Sequence, residues 1–365
     1  MDFHPTEEQA AAAGLAARIF GDLATHERLA AAGTGSDAEL WKALTSAGLI
    51  AAVQEIGLLG LVLLLEEQGR TTAQVPYAAT CVYGILPVGA HGSPEQRARL
   101  LPALGTGEAV ATGAFPERGR ITATSGGGLT GTVPVVPWLR DATHVLVPDA
   151  DRALWLVRTD TPGVETAAVE TTAPWSAGRL TLTRAEGERV GHSGDPASDD
   201  PRPRDAMGHG SQPYEDTLAA ARTAFAGLQA GVCAGSLARA VQYTSTREQF
   251  GRPLSTNQGV MLRAADAYMD TEAIRVTAYE AAWRIDQGLA ARDHALTAAW
   301  WASEAGKRVV HAGQHLHGGM GADLDHPVHR HFLWGRQLDA YLGCGSELLA
   351  ELGASIASMA EGEQA

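Results

Sequence analysis

From Pro213 to about Met359 the chain reads as helix after helix, and this stretch limits the fold more than any short motif. Leu218, Phe225, Leu228 and Val232 recur at the spacing of one helix face. Segments 259–284 and 290–315 predict a second and a third long helix, and the run to Ser358 at least one more. Such helices bury their apolar stripes against one another, which predicts an antiparallel four-helix bundle.

Upstream the pattern changes twice. Residues 1–108 read as helical. Thr6 is placed to cap a first turn whose acids suit the positive helix end. Residues 37–48 predict a helix with Leu40, Trp41 and Leu44 on one face, and 60–69 a buried helix closed by Gly69. Ser93-Pro94-Glu95 opens another, with proline where its missing N–H costs nothing and an end near Leu101-Pro102. From about Ala109 to Val190 the helical period gives way to runs such as THVLVPDADRALWLVRTD and GRLTLTRAEG, which predict a small antiparallel β-domain. Residues 193–212 are mostly Pro, Asp, Gly and Ser and predict a flexible linker. The fold class is α+β and multidomain: an N-terminal helical domain (1–108), a middle antiparallel β-barrel-like domain (109–192), a linker (193–212) and a C-terminal four-helix bundle (213–365).

A net charge of −14 over 365 residues argues against nucleic acid or an anionic membrane as a general partner. The apolar run GLLGLVLLL is too short to span a bilayer. The N-terminus lacks the basic start and apolar centre of a signal peptide. Cys81, Cys233 and Cys344 form no CxxC pair and read as reduced thiols. The expectation is a cytoplasmic protein.

Two stretches carry chemistry. In STREQFGRPL (245–254) the plainest reading is a helix end, with Gly251 as stop and Pro253 preventing continuation. The functional reading makes Arg247 a forked donor to phosphate, with Phe250 covering a flat ring. In QHLHGGMGADLDHPVHRHF (314–332) a helix ends at His317, and three glycines in four residues suit a close approach of backbone to a ligand. The five histidines there lack metal-site spacing and companion ligands, so no metal is expected. His326, His329 and His331 read as interfacial or solvated.

Taken in order with VQEIGLLGLVLLLEEQGRTTAQVPYAAT and GSPEQRARLLPALGTGEAVATGAF, these stretches resemble the acyl-CoA dehydrogenase family over nearly the whole chain. The resemblance implies that family's three-part fold and an FAD shared between subunits. It implies Arg247, Gln249, Phe250 and Gln258 as one contact set for the adenine-diphosphate end, and Gly318, Gly319 and Gly321 as a second. The Gln usually found before the glycine pair is His315 here, with Gln314 one place earlier.

The family removes an α-proton with a carboxylate while hydride passes from the β-carbon to the flavin. At the two places where the family carries that base, this chain has Ala221 and Leu342. Val135 and Pro137 stand where the ring-contacting Trp and Thr are expected. The pattern resembles the smaller, base-lacking subunit of the α2β2 heterotetrameric dehydrogenases of actinobacterial steroid side-chain breakdown. It implies a second dehydrogenase-like chain, an acyl-CoA substrate and an electron-transfer flavoprotein or similar acceptor. Asp325 reads first as a cap for the following helix, and second as a relocated base in a self-sufficient homotetramer. A non-catalytic scaffold subunit is the third reading.

Overall fold

A computed structural model of the chain describes residues 3–124, 126, 128–191 and 212–362, without side chains from 359 on. The expected 193–212 linker, apart from Gln212, lies outside the described residues.

The N-terminal part contains α1 (Glu7–Leu23), α2 (His26–Ala32), α3 (Ala38–Ser46), α4 (Val53–Thr71), α5 (Tyr77–Thr80), α6 (Leu86–His91) and α7 (Pro94–Gly105), with a π-helical turn over Cys81–Ile85. Thr6 caps α1 in a reciprocal box: its hydroxyl accepts the Gln9 amide, and its own amide donates to the Gln9 side chain. Ser93 and Gln96 repeat this at α7.

Two expected helix ends are displaced. Gly69 does not close its helix, because α4 runs on to Thr71 and Thr72 takes the left-handed cap position at φ 51°. Gly69 instead meets α8 (Pro213–Thr246): a Cβ there would overlap the Leu228 carbonyl oxygen. Pro102 lies inside α7, which continues to Gly105. Helix α4 bends at Gly57 (φ 70°), where Asp286 accepts the Leu58 and Leu59 amides at 2.7 and 2.9 Å. A carboxylate from the far end of the bundle thus caps a buried helix start.

The middle part holds two four-stranded sheets built from β1 (Ala111–Gly113), β2 (Ile121–Ala123), β3 (Gly128–Val136), β4 (His144–Pro148), β5 (Leu154–Arg158), β6 (Val164–Ala168), β7 (Gly178–Glu186) and β8 (Glu188–Val190). One sheet runs β1-β4-β5-β8 and the other β2-β3-β7-β6. The β1–β4 pair is parallel, so the domain is not wholly antiparallel as expected. The two sheets share an apolar core that includes Leu129, Val136, Val145, Val157 and Leu180.

The bundle consists of α8, α9 (Gln258–Asp286), α10 (Arg292–Leu316) and α12 (Gly345–Gly362), with α11 (Pro327–Leu338) between the last two. Leu218, Phe225, Leu228 and Val232 on α8 are all buried, as their spacing predicts. Gly231 and Gly69 let α8 and α4 approach to backbone contact. Among the described residues α8 is the helix long and apolar enough to cross a bilayer, and most of it is buried inside the fold.

Candidate functional site

Helix α8 carries chemistry at both ends. At its C-terminal end the backbone leaves the helix after Thr246, with Arg247 extended. The expected stop at Gly251 is something else. Glu248–Gln249 (β9) and Arg252–Pro253 (β10) pair antiparallel, with Phe250 and Gly251 as the two-residue turn. Both turn residues have positive φ, 54° and 74°, the geometry that matches hairpin twist. A bulky aromatic seldom takes this conformation, and Phe250 is 100% exposed in it. The sequence thus holds a large apolar ring outward at a conformational cost of roughly 1–3 kcal/mol. Arg247, Gln249 and Gln258 are exposed beside it.

The glycine turn faces the same end of α8. Helix α10 stops at Leu316, His317 caps it, and Gly318 turns the chain at φ 62°. A Cβ at Gly318 or Gly319 would meet open space, so no neighbouring atom crowds either position of this 3-10 turn (Gly318–Ala322). Gly321 differs: a Cβ there would strike the Gln314 carbonyl, so its role is packing. Gln314 donates to the Gly321 carbonyl at 3.0 Å, while His315 is exposed. The Tyr243 ring stacks on His317 with centroids 4.9 Å apart, joining α8 to this turn. The hairpin and the turn therefore form one outward-facing cradle.

The interior is the opposite. Where the β-domain meets the helices, Trp138 and Trp175 stack at 4.3 Å, and Trp334 and Tyr341 meet Trp175 edge-on. Tyr341 packs on Phe225 at 4.8 Å and shares a 2.9 Å hydrogen bond with the Tyr83 hydroxyl. Tyr83 stacks on Phe115, and Phe115 on Tyr214. Burial raises the Tyr83 phenol well above its ordinary range. Trp138 adopts positive φ (53°), and the indole N–H groups of Trp138, Trp175 and Trp334 are buried without partners. Val135 and Pro137 precede Trp138; Val135 points to solvent and Pro137 is buried.

Beside this stack lies a cavity of about 230 Å³, lined by Tyr214, Leu218, Arg222, Leu342 and Glu351 among others. Arg222, 7% exposed, grips Glu351 through two contacts of 2.9 and 2.6 Å. That pairing holds the Glu351 carboxyl below its ordinary range. Ala221 and Leu342 are buried and apolar, so neither place of the expected base offers a proton acceptor.

Asp325 sits exposed in the loop before α11. It is not the cap: His326 caps α11, its Nδ1 accepting the Val328 amide at 3.2 Å. The expectation that His331 is interfacial or solvated also gives way, because it is 1% exposed and lies between the Arg70 and Pro327 carbonyls. No group of three or more metal-ligating side chains occurs among the described residues. Sequence reasoning missed the tryptophan stack, since Trp175 and Trp334 carry no motif, and it missed the Arg222–Glu351 pair, whose members lie 129 positions apart.

Residues 6–108 match the family description "Acyl-CoA dehydrogenase, N-terminal domain", and residues 208–356 match "Acyl-CoA dehydrogenase, C-terminal domain". "Acyl-CoA dehydrogenase FadE27" of Mycobacterium tuberculosis is 34% identical over 98% of this chain and 99% of its own. "Acyl-CoA dehydrogenase FadE28" of the same organism is 30% identical over 97% and 98%. Among solved structures, a variant of the Tcur3481-Tcur3483 steroid ACAD superposes with a TM-score of 0.88 at 39% identity, covering 97% of this chain and 99% of that one. The ChsE4-ChsE5 complex from Mycobacterium tuberculosis does so with 0.87 at 32%, covering 98% and 99%. With whole-length relatives above 30% identity and the three-part architecture in place, the chain belongs to the acyl-CoA dehydrogenase family of FAD-dependent oxidoreductases acting on CH–CH bonds.

Proposed function

We propose that this chain is the FAD-contributing subunit of a heteromeric acyl-CoA dehydrogenase, with the catalytic Glu supplied by a partner chain. The reaction is α,β-desaturation of an acyl-CoA thioester with a bulky acyl group such as a steroid side chain. The observation that carries this reading is the contrast between an open cradle and a filled interior. The fully exposed Phe250 and the open space beside Gly318 and Gly319 suit a group that belongs to a neighbouring chain. The stacked Trp138 and Trp175, with apolar Ala221 and Leu342 nearby in the fold, leave the chain's own flavin-ring and base positions without fitting groups. This contrast supports FAD held at the first region rather than at the second.

When bound, FAD supplies the hydride acceptor. This chain's part is to bind and orient. Arg247 offers a forked donor to the diphosphate, Gln249 and Gln258 add amide groups, and Phe250 covers a flat ring. Gly318 and Gly319 admit close approach, with Gln314 bracing the turn. Two similar solved structures, Tcur3481-Tcur3483 and the ChsE4-ChsE5 complex, are named for paired chains, which favours a second dehydrogenase-like chain in an α2β2 assembly. An exposed apolar stripe on α9 (Met261, Leu262, Tyr268, Met269 and Val276) gives such a partner a surface to cover. Reoxidation would fall to an electron-transfer flavoprotein or similar acceptor.

The test is purification of this chain alone and co-expressed with a dehydrogenase-like partner, followed by absorbance spectra and native mass. The expected result is a colourless, inactive chain alone and a yellow, active complex. A yellow homomer that turns over acyl-CoA by itself sinks the proposal. In that event Asp325→Asn distinguishes a relocated base. If the complex is active while Arg247→Ala leaves its flavin content unchanged, the chain is a scaffold.

A further inference from the structure

Small residues hold helices α8 and α10 in one register. A Cβ at Gly306 would overlap the Gln229 side chain, and one at Gly313 the Ser236 hydroxyl. The next step of seven on both helices reaches Met320 and Tyr243, where the Tyr243 hydroxyl lies 3.9 Å from the Met320 sulfur. The three contacts advance together, so the two helices run parallel and end side by side. Each end then carries one half of the cradle. Arg247 and the hairpin follow α8, and Gly318 with its turn follows α10.

Tyr243 and His317 join these ends. Their rings stack with centroids 4.9 Å apart and planes 22° apart. Each ring is tied to the backbone of its own half. The Tyr243 carbonyl accepts the Arg247 amide at 2.8 Å, and the Arg247 carbonyl accepts the Leu254 amide at 2.9 Å, closing the hairpin. His317 is 3% exposed, with Nδ1 2.7 Å from the Gly313 carbonyl. A carbonyl oxygen only accepts, so Nδ1 carries the proton and donates. The ring of His326, which caps α11, meets His317 edge-on at 4.9 Å. One ring of the stack thus stands a helical turn before Arg247, and the other immediately before Gly318.

Past the stack, the groups suited to a cofactor face outward. Arg247, Gln249 and Phe250 are exposed, and no atom lies within 4 Å of a Cβ built at Gly318 or Gly319. A forked donor and a backbone turn grip one diphosphate together only when their separation is held to about 0.5 Å, and a supporting layer of side chains has to hold it.

We propose that Tyr243 and His317 are positioning residues for the cofactor. The stacked pair sets the separation of Arg247 from Gly318, and through it the grip on the diphosphate end of FAD. Neither ring needs to touch the cofactor. This inference rests on the cradle reading above and adds the residues that keep the cradle in shape.

The test uses the complex of this chain with its dehydrogenase-like partner, stripped of flavin and titrated with FAD. The variants are Tyr243→Leu, Tyr243→Phe, Arg247→Ala, and Tyr243→Leu combined with Arg247→Ala. Flavin fluorescence reads the Kd, turnover gives kcat and the KM for added FAD, and circular dichroism checks that each variant is folded. Loss of the stack should raise the Kd and KM for FAD about three- to tenfold in Tyr243→Leu. Its kcat at saturating FAD should be kept, and Tyr243→Phe, which retains the ring, should recover the lost affinity. In the Arg247→Ala background, Tyr243→Leu should add nothing further. Folded Tyr243→Leu with the wild-type Kd, beside an Arg247→Ala that loses flavin, overturns this inference and leaves the proposed function standing. Losses that simply add in the double variant overturn it too, because Tyr243 then does not act through Arg247. If Arg247→Ala binds FAD as wild type does, the cradle reading falls and this inference falls with it. If Tyr243→Leu does not fold, His317→Leu removes the stack from its other ring and the same outcomes decide.

Discussion

Removing one charge from the Arg222–Glu351 pair should cost more than removing both. Arg222 is 7% exposed, with both terminal nitrogens on Glu351 and its Nε without a partner. In Glu351→Gln the guanidinium stays buried without a counter-charge. Breaking a fully buried pair costs about 3–5 kcal/mol. The Glu351 side chain is 33% exposed, so water screens part of this, and about 2–3 kcal/mol is expected. Replacing both members, as in Arg222→Met with Glu351→Gln, removes the orphaned charge and should recover at least ~1 kcal/mol of that loss, with Arg222→Met as the second single variant. Urea unfolding followed by near-ultraviolet circular dichroism, at low and high salt, measures the four corners of the cycle. If the single and double variants add to within about 0.5 kcal/mol, the pair is not coupled and the reasoning fails. The pH dependence gives a second check. Arg222 holds the folded Glu351 carboxyl below its ordinary value of 4.5. On acidification the unfolded chain therefore takes up the proton first. The pair's contribution is present above that value and is lost as pH falls through the folded one. Wild type should lose stability below about pH 4.5 more steeply than Glu351→Gln.

Three further outcomes follow from described geometry. Phe250→Gly relieves a left-handed aromatic and should stabilise the isolated chain by up to ~1 kcal/mol while weakening flavin retention in the complex; unchanged flavin content would separate Phe250 from the cofactor. Gly69→Ala drives a methyl group into the α8 backbone and should destabilise by at least ~1–3 kcal/mol, whereas an unchanged melting temperature would mean the helices can part without cost. Met269→Glu, on the exposed stripe of α9, should leave the monomer's melting unchanged and weaken assembly with a partner in analytical ultracentrifugation; unaltered assembly would place the interface elsewhere.

The helical parts were legible in the sequence because burial on α8 follows its apolar spacing, and the caps of α1 and α7 are local hydrogen bonds between neighbours. The end of α4 was not, since Gly69 is there for a contact with a helix more than a hundred residues away. Pro102 misled because a proline in the last turn gives up one intrahelical bond, and α7 still runs on to Gly105. At the site, Arg247 and Gly318 announced themselves through short motifs, but the hairpin did not. Phe-Gly is not a recognised turn pair, and the two positive φ values appear only when the strands on either side pair up. The filling of the interior was equally hidden: absence of a Glu can be read from one position, whereas the Trp138–Trp175 stack needs two distant strand ends to converge.

That stack also gives the molecule an optical signature. Indole rings held at 4.3 Å and 25° couple their electronic transitions, and a third indole lies edge-on at 5.6 Å. The seam where the β-domain meets the helices should therefore produce a strong near-ultraviolet dichroic band that vanishes if those parts separate, even while every helix remains intact. The chain carries its own reporter of domain docking, readable without a label and at wavelengths short of flavin's visible absorption.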